Sequence, residues 1–160
     1  MGSRAWVPVR PALRSRPSGG LTVRYLDANV FVFAVLDEGP RGERARALLR
    51  KVVGEDGRAA TSTLAIDEVV WSLQGEGPRD VAIQEGQRLM DLPNLEVFDV
   101  TAEDTFDALS LMEDEDTLDP RDAIHAAVAI NHGIFTVVSD DPDLDGLPDV
   151  ERQGLVETAN

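Results

Sequence analysis

Short apolar runs alternate with longer segments of helical periodicity from residue 21 onward. The runs have the length and β-branched content of strands, and they lie at residues 21–26, 59–61, 95–100 and 134–138. The last run, IFTVV, is continuously apolar, which is typical of a parallel strand buried on both faces. Strands that alternate with helices predict a three-layer α/β/α sandwich around a central, mostly parallel sheet.

Helical periodicity fills the segments between these strands. It covers residues 30–36, 41–53, 81–92 and 120–131, and it also follows two N-cap candidates, Ser62 (or Thr63) and Thr101. The helix after Thr101 has an apolar side formed by Phe106, Leu109 and Met112. Asp119 is the predicted N-cap of the final helix, because Pro120 suits its first position and Gly133 its end.

Residues 1–20 differ in composition from the rest of the chain. They hold three prolines, three glycines, three serines and four arginines without periodicity, so they are predicted to be a disordered basic tail before a domain at 21–155. Two alternatives stay open: an arm that holds RNA phosphates, or upstream sequence from a wrongly assigned start. Prolines interrupt any signal-peptide core and no apolar stretch is long enough to span a membrane, which favours a cytoplasmic location.

The charge is strongly acidic and unevenly distributed. The net charge is −15, but five arginines and no acid precede Asp27, which leaves −20 on residues 27–160. Lys51 is the single lysine among 15 basic residues. This bias suggests adaptation to high salt, where charge repulsion is screened, although an ordinary acidic protein remains an alternative. Cysteine is absent, so disulfides and thiolate chemistry are excluded and oxygen ligands for Mg²⁺ or Mn²⁺ are favoured.

Four acids are expected to meet at the carboxyl ends of the parallel strands, where open α/β sheets bind ligands. Asp27 ends the first strand, and Asp141 follows the strand at 134–138. Asp122 lies in the first turn of the final helix, and Glu68 lies about one and a half turns into the helix after Ser62. Like charges at close range resist ionisation unless a divalent cation offsets them. With 30 acids in the chain, such a pattern can also arise by chance.

The segments around these acids resemble four motifs of PIN-domain nucleases, in order, over residues 21–150. They are LDANV at 26–30, STLAIDEVVW at 62–71, PRDAIHAA at 120–127 and VVSDDPDL at 137–144. The third is the most specific match. Two positions depart from the family pattern: Ala28 replaces a common Ser or Thr, and Leu144 replaces a usual Phe. The first could weaken metal affinity, whereas the second affects packing.

The resemblance implies a metal-dependent endoribonuclease whose ligands for Mg²⁺ or Mn²⁺ are Asp27, Glu68, Asp122 and Asp141. It implies that Asn29 orients Asp27, with Ser139, Asp119 and Asp143 as further supporting residues. Small members of this kind are most often VapC-like toxins, which implies a small antitoxin partner and a homodimer. Maturation of ribosomal RNA and a non-catalytic PIN-like binding module are the alternatives. Asp140 is the rival of Asp141, but the motif register favours Asp141.

Several other residues allow more than one interpretation. Arg41, Arg44 and Arg121 are candidates for RNA binding, although each could instead pair with surface acids. His125 follows Asp122 by three positions and could be a ligand or a general base, but a packed, hydrogen-bonded role is favoured. Trp71 could stack on a base, but a position in the core or in a dimer interface is favoured. Asp141, Asp143, Asp145 and Gly146 match the start of a calcium loop, but the twelfth position is Arg152. A phosphatase with an aspartyl nucleophile would need a second Asp where Asn29 stands.

Overall fold

A parallel sheet forms the centre of the protein in a computed structural model that describes residues 23–54 and 57–156. Five strands are found in these ranges, in the order β3-β2-β1-β4-β5, and every neighbouring pair is parallel. Their bounds are β1 Arg24–Leu26, β2 Ala59–Ser62, β3 Leu95–Phe98, β4 Thr136–Val138 and β5 Glu151–Gln153. The parallel sheet confirms the predicted α/β class.

Helices cover both faces of this sheet. They are α1 Ala28–Leu36, α2 Pro40–Val53, α3 Thr63–Glu76, α4 Arg79–Met90, α5 Ala102–Asp114 and α6 Pro120–Asn131, followed by a 3₁₀ helix at Pro142–Gly146. The expected tail at 1–20 lies outside the described residues. No helix within the described ranges has the length and apolar character that a membrane crossing requires.

Alternation along the strands divides the core into two halves. In β1, Leu26 packs with the helices α1 to α4, whereas its neighbour Tyr25 packs with α5 and α6. In β4, Val138 and Val137 divide in the same way. Successive side chains of a strand point to opposite faces, so a sheet that is covered on both sides must bury both sets. This arrangement is the predicted three-layer sandwich.

The apolar side predicted for α5 is only partly covered. Phe106 is 40% exposed and Leu109 is 57% exposed, whereas Asp104 and Ala108 are buried. Asp104 forms a capping box with Thr101 and also accepts a hydrogen bond from Asn131 of α6. These contacts direct a polar side chain toward α6 and leave the larger apolar side chains outside.

Strand β5 was not predicted. Its sequence, ERQ, has no apolar alternation, and the strand is formed by backbone pairing with β4 at the sheet edge. Helix α1 also starts earlier than expected, directly after Asp27, so that this acid occupies the N-cap position. The predicted caps of α3 and α6 are observed, because Ser62 accepts from the Ala65 amide and Asp119 from the Arg121 amide.

Candidate active site and metal centre

Asp27 lies at the carboxyl end of β1, at the centre of the sheet. Its side chain is 5% exposed, and its Oδ2 accepts hydrogen bonds from Ser139 Oγ at 2.6 Å and Asn29 Nδ2 at 2.9 Å. The Asn29 amide also donates to Ser139 Oγ, at 3.0 Å. Two donors from two elements therefore fix this carboxylate, and Asn29 lies where the sequence motif places it.

Glu68 and Asp27 meet through a histidine. His125 Nε2 lies 2.7 Å from Glu68 Oε1 and 3.5 Å from Asp27 Oδ1. The imidazole is 1% exposed, and its Nδ1 lies 2.7 Å from the hydroxyl of Tyr25. The favoured expectation of a packed, hydrogen-bonded histidine agrees with this environment, but its contact with two of the candidate acids was not foreseen.

Asp122 and Asp141 form the second part of the site. Oxygen atoms of Asp122, Asp141 and the exposed Asp143 all lie within 4.8 Å of one another. The Asp141 amide donates to Ser139 Oγ at 3.0 Å, which links this loop to the environment of Asp27. Asp140 instead accepts from the Leu155 amide at 2.8 Å. This geometry favours Asp141 over Asp140 as the fourth acid.

Mutual repulsion and burial change the acidity of the cluster. Burial and then the charge of Asp141 raise the pKa of Asp122 from 3.8 to about 7, with Asp27 adding to the rise. Burial also raises the pKa of Asp27, although His125 and Ser139 oppose the rise. For His125, burial works to lower the pKa, but the hydrogen bond with Glu68 and the nearby acids outweigh burial and raise it. A cation would relieve the repulsion.

The donor set fits a hard divalent cation. Every candidate ligand is a carboxylate oxygen, which is the chemistry that Mg²⁺ and Mn²⁺ prefer. The carbonyl Oδ1 of Asn29 is buried and has no hydrogen-bond partner within the described residues, although the amide group of this side chain has two. A buried acceptor without a donor costs free energy, and a water ligand of the cation would satisfy it.

The other predicted residues lie at different distances from this cluster. Asp119 is exposed and caps α6, and it is not part of the group around Asp122. Arg41 pairs with Asp37 at 3.3 Å and lies 4.5 Å from the ring centre of Phe33. Arg44 donates to the carbonyls of Leu155 and Val156, and Arg121 is exposed beside Asp122. RNA binding by these arginines stays a prediction.

The calcium-loop alternative does not fit the geometry. Arg152, at the twelfth position, donates from Nε to Asp145 Oδ1 at 2.7 Å. It also lowers the pKa of Asp145 through this hydrogen bond. Asp145 lies in a 3₁₀ helix preceded by β4, and not in a loop between two helices. An arginine therefore occupies the place of the bidentate calcium ligand.

Comparison with known families identifies the fold. The sequence matches the family model described as the PIN domain over residues 24–150. The chain belongs to the PIN-domain family. Members of this family are nucleases that use divalent metals, which agrees with the acidic cluster. No significant match to a curated protein is found.

Solved structures share the PIN fold at low sequence identity. The VapC20 toxin of Mycobacterium tuberculosis, described as cleaving the sarcin-ricin loop, is 19% identical, with a TM-score of 0.66 and coverage of 80% of this chain and 98% of that one. VapBC2 of Rickettsia felis, bound to a promoter DNA fragment, is 17% identical, with a TM-score of 0.61 and coverage of 82% and 98%. FitAcB of Neisseria gonorrhoeae is 17% identical, with a TM-score of 0.62 and coverage of 84% and 99%. This PIN domain is thus VapC-like in structure.

Two residues of the site escaped the sequence analysis. Tyr25 was assigned only as part of a strand, and Ser62 only as a helix cap. Both lie in strands whose carboxyl ends are adjacent, and Tyr25 donates to Ser62 Oγ at 2.8 Å. A buried tyrosine needs a partner for its hydroxyl, so the polar end of Tyr25 was the available signal.

Proposed function

We propose that this PIN domain is an endoribonuclease that uses Mg²⁺ or Mn²⁺ to hydrolyse RNA phosphodiesters, as the toxin of a toxin–antitoxin pair. The observation that carries the proposal is the group formed by Asp122, Asp141 and Asp143, whose oxygen atoms lie within 4.8 Å of one another at the carboxyl edge of the sheet. Asp27 acts on Asp122 through its charge, and it shares His125 with Glu68. The family match supports nuclease chemistry at this edge.

Each acid would have a definite part in the reaction. A bound cation would lower the pKa of a water ligand and offset the negative charge of the phosphate. Asp122 and Asp141 would supply oxygen ligands, and Asp122 must lose its proton to do so because its pKa is about 7. Asp27 would present Oδ1, since its Oδ2 is held by Ser139 and Asn29. Glu68 would complete the ligand set from α3.

A groove between α1, α2 and α4 supports a protein partner. Its cavity is about 530 Å³ and its wall is mostly apolar, with Phe31, Ala34, Leu49, Val53, Leu89 and Leu92 in the lining. Arg46, Arg50 and Arg88 also line it, together with one acid, Glu85, which pairs with Arg88 at 3.0 Å. The groove is thus net positive on a domain that is otherwise acidic. An amphipathic segment with acidic residues would suit this groove, and we assign that role to a small antitoxin. The solved VapBC and FitAB complexes support such a partner.

An exposed aromatic side chain bears on assembly. Trp71 is 64% exposed on α3, so the core position is excluded, and of the two remaining interpretations, a homodimer interface and stacking on an RNA base, we assign the first. Light scattering of the purified protein and of a Trp71→Ser variant would test the dimer.

A small upstream reading frame encoding a DNA-binding protein would favour the toxin role over ribosomal RNA maturation. Either role implies a cytoplasmic location, where the RNA substrate is found.

The nuclease proposal is tested by cleavage of structured RNA, including a sarcin-ricin loop oligonucleotide and transfer RNA. We expect cleavage that requires Mg²⁺ or Mn²⁺, stops with EDTA, and falls at least about 100-fold in Asp27→Asn and Asp122→Asn. Asp145→Asn is the matched control, because Asp145 is an exposed acid paired with Arg152 outside the cluster. Cleavage by either cluster variant at the wild-type rate would show that the assigned site is wrong.

A further inference from the structure

A network of hydrogen bonds links Ser62 at the start of α3 to Glu68 in the second turn of the same helix. It passes through Tyr25 of β1 and His125 of α6. Ser62, the N-cap of α3, accepts from the Tyr25 hydroxyl at 2.8 Å. The same hydroxyl lies 2.7 Å from His125 Nδ1, and His125 Nε2 lies 2.7 Å from Glu68 Oε1. Tyr25, Ser62 and His125 are at most 1% exposed. This hydrogen-bond network therefore connects the helices on the two sides of the sheet.

The chemistry of the partners fixes the histidine at both ends. An ionised carboxylate only accepts hydrogen bonds, so Nε2 must donate to Glu68. The other nitrogen, Nδ1, contacts the Tyr25 hydroxyl, whose single proton is donated to Ser62, so Nδ1 also acts as a donor. A ring with both nitrogens bound has no free atom to act as a ligand or to take a proton from water. Its remaining role is to orient the carboxylates that it contacts.

We propose that His125 is a positioning residue that holds Glu68, and secondarily Asp27, in the orientation that binds the divalent cation. This inference rests on the proposed metal-dependent function. Glu68 lies on a helix with its side chain 18% exposed, and a glutamate that lacks a donor would sample several rotamers. His125 restricts it, while Tyr25 and Ser62 restrict His125. Hydrogen-bond partners of metal ligands commonly change metal affinity about 10- to 100-fold when they are removed.

Two substitutions separate this role from simple packing. In His125→Gln the side-chain amide can take the place of Nε2 and still donate to Glu68, but the Tyr25 contact is lost. In His125→Asn the shorter side chain reaches only the place of Nδ1, so the contact with Glu68 is lost. Both variants remove volume from the core and both keep a polar group. A merely structural histidine would respond alike to both.

The measurement is Mn²⁺ affinity by electron paramagnetic resonance of the free ion, without RNA, with melting temperatures recorded for each variant. We expect His125→Asn to weaken Mn²⁺ binding about 10- to 100-fold, and His125→Gln to weaken it clearly less, because the glutamine keeps a donor to Glu68 and loses only the restraint from Tyr25. Equal affinities for the two variants would overturn the proposal. If the His125 variants do not fold, Tyr25→Phe must weaken Mn²⁺ binding, and an unchanged affinity would overturn it equally.

A separate control distinguishes failure of the proposed function. Wild-type protein must bind Mn²⁺ more tightly than Asp122→Asn does, because Asp122 is a candidate ligand outside this hydrogen-bond network. If it does not, the metal site itself is wrong and the inference about His125 is overturned with it. If it does, but the Asn and Gln variants agree, only the role of His125 is overturned.

Discussion

Replacing Asp122 by asparagine should stabilise the metal-free protein at alkaline pH. In the folded protein the pKa of Asp122 is raised from 3.8 to about 7, first by burial and then by the charge of Asp141. The folded state therefore holds this proton more tightly than the unfolded state does. Stability from this group is full below about pH 4, falls as the pH rises toward 7, and is absent above it. Asparagine carries no charge at any of these pH values.

The size of the effect follows from the same shift. At about 1.4 kcal/mol for each pKa unit, a rise from 3.8 to about 7 would lower the free energy of unfolding by about 4 kcal/mol if the whole shift counted. Asp122 is only partly buried, so solvent screens the repulsion and about 1 to 2 kcal/mol is a realistic gain for Asp122→Asn. For a domain of this size that is a rise of roughly 2 to 8 °C in melting temperature.

The assay is thermal unfolding followed by circular dichroism in EDTA, at constant KCl, at about pH 8 and about pH 5. The variant should melt above the wild type at the higher pH, and the difference should shrink at the lower pH, where Asp122 is itself neutral. The charge of Asp122 helps to raise the pKa of His125, and the variant loses this attraction, which works against part of the gain. Asp145→Asn should give no gain, because Arg152 lowers the pKa of that acid. An advantage that is absent at pH 8, or equal at both pH values, would refute the repulsion argument.

Two further predictions concern charge outside the cluster. Molar KCl should raise the melting temperature above its value in about 0.15 M KCl, because the salt screens repulsion within the −20 charge of residues 27–160. An unchanged melting temperature would refute adaptation to high salt. Arg41→Ala should raise KM for RNA with a smaller effect on kcat. Arg58 lies at the opposite end of the strands, so Arg58→Ala should leave KM unchanged. Equal effects of the two substitutions on KM would contradict RNA binding by Arg41. Arg44 is less suited to this test because it holds the backbone after β5.

The sandwich could be predicted because its signals are local and repeated. The run at 134–138 and the capped helix after Asp119 have apolar patterns long enough to identify their type and order. Parallel strands then bring their carboxyl ends to one edge, which places Asp27 and Asp141 together before any coordinates are known. Strand topology thus indicated the edge at which the candidate acids lie, whereas the role of Asn29 was implied only by the resemblance to PIN-domain motifs.

The parts that escaped prediction depend on contacts between distant residues. Strand β5 is held by backbone pairing with β4 and has no apolar pattern of its own. The apolar side predicted for α5 includes Phe106 and Leu109, which are exposed, whereas Asp104 is buried and accepts a hydrogen bond from Asn131, 27 positions away. The bond between Tyr25 and His125 spans 100 positions. Periodicity carries no information about such partners.

The contacts around the four acids indicate where the cluster most needs a cation. Asp27 is held by donors from Ser139 and Asn29, and Glu68 is held by His125, so the charge of each has a partner. Asp122 faces Asp141 instead, and a proton shared between these two carboxylates relieves their repulsion in the metal-free site. That proton is lost as the pH rises through about 7, and the repulsion between Asp122 and Asp141 is greatest above this pH. Asp122 and Asp141 are therefore the pair whose repulsion a divalent cation would relieve most, and Asp27 and Glu68 would supply further carboxylate oxygens for it.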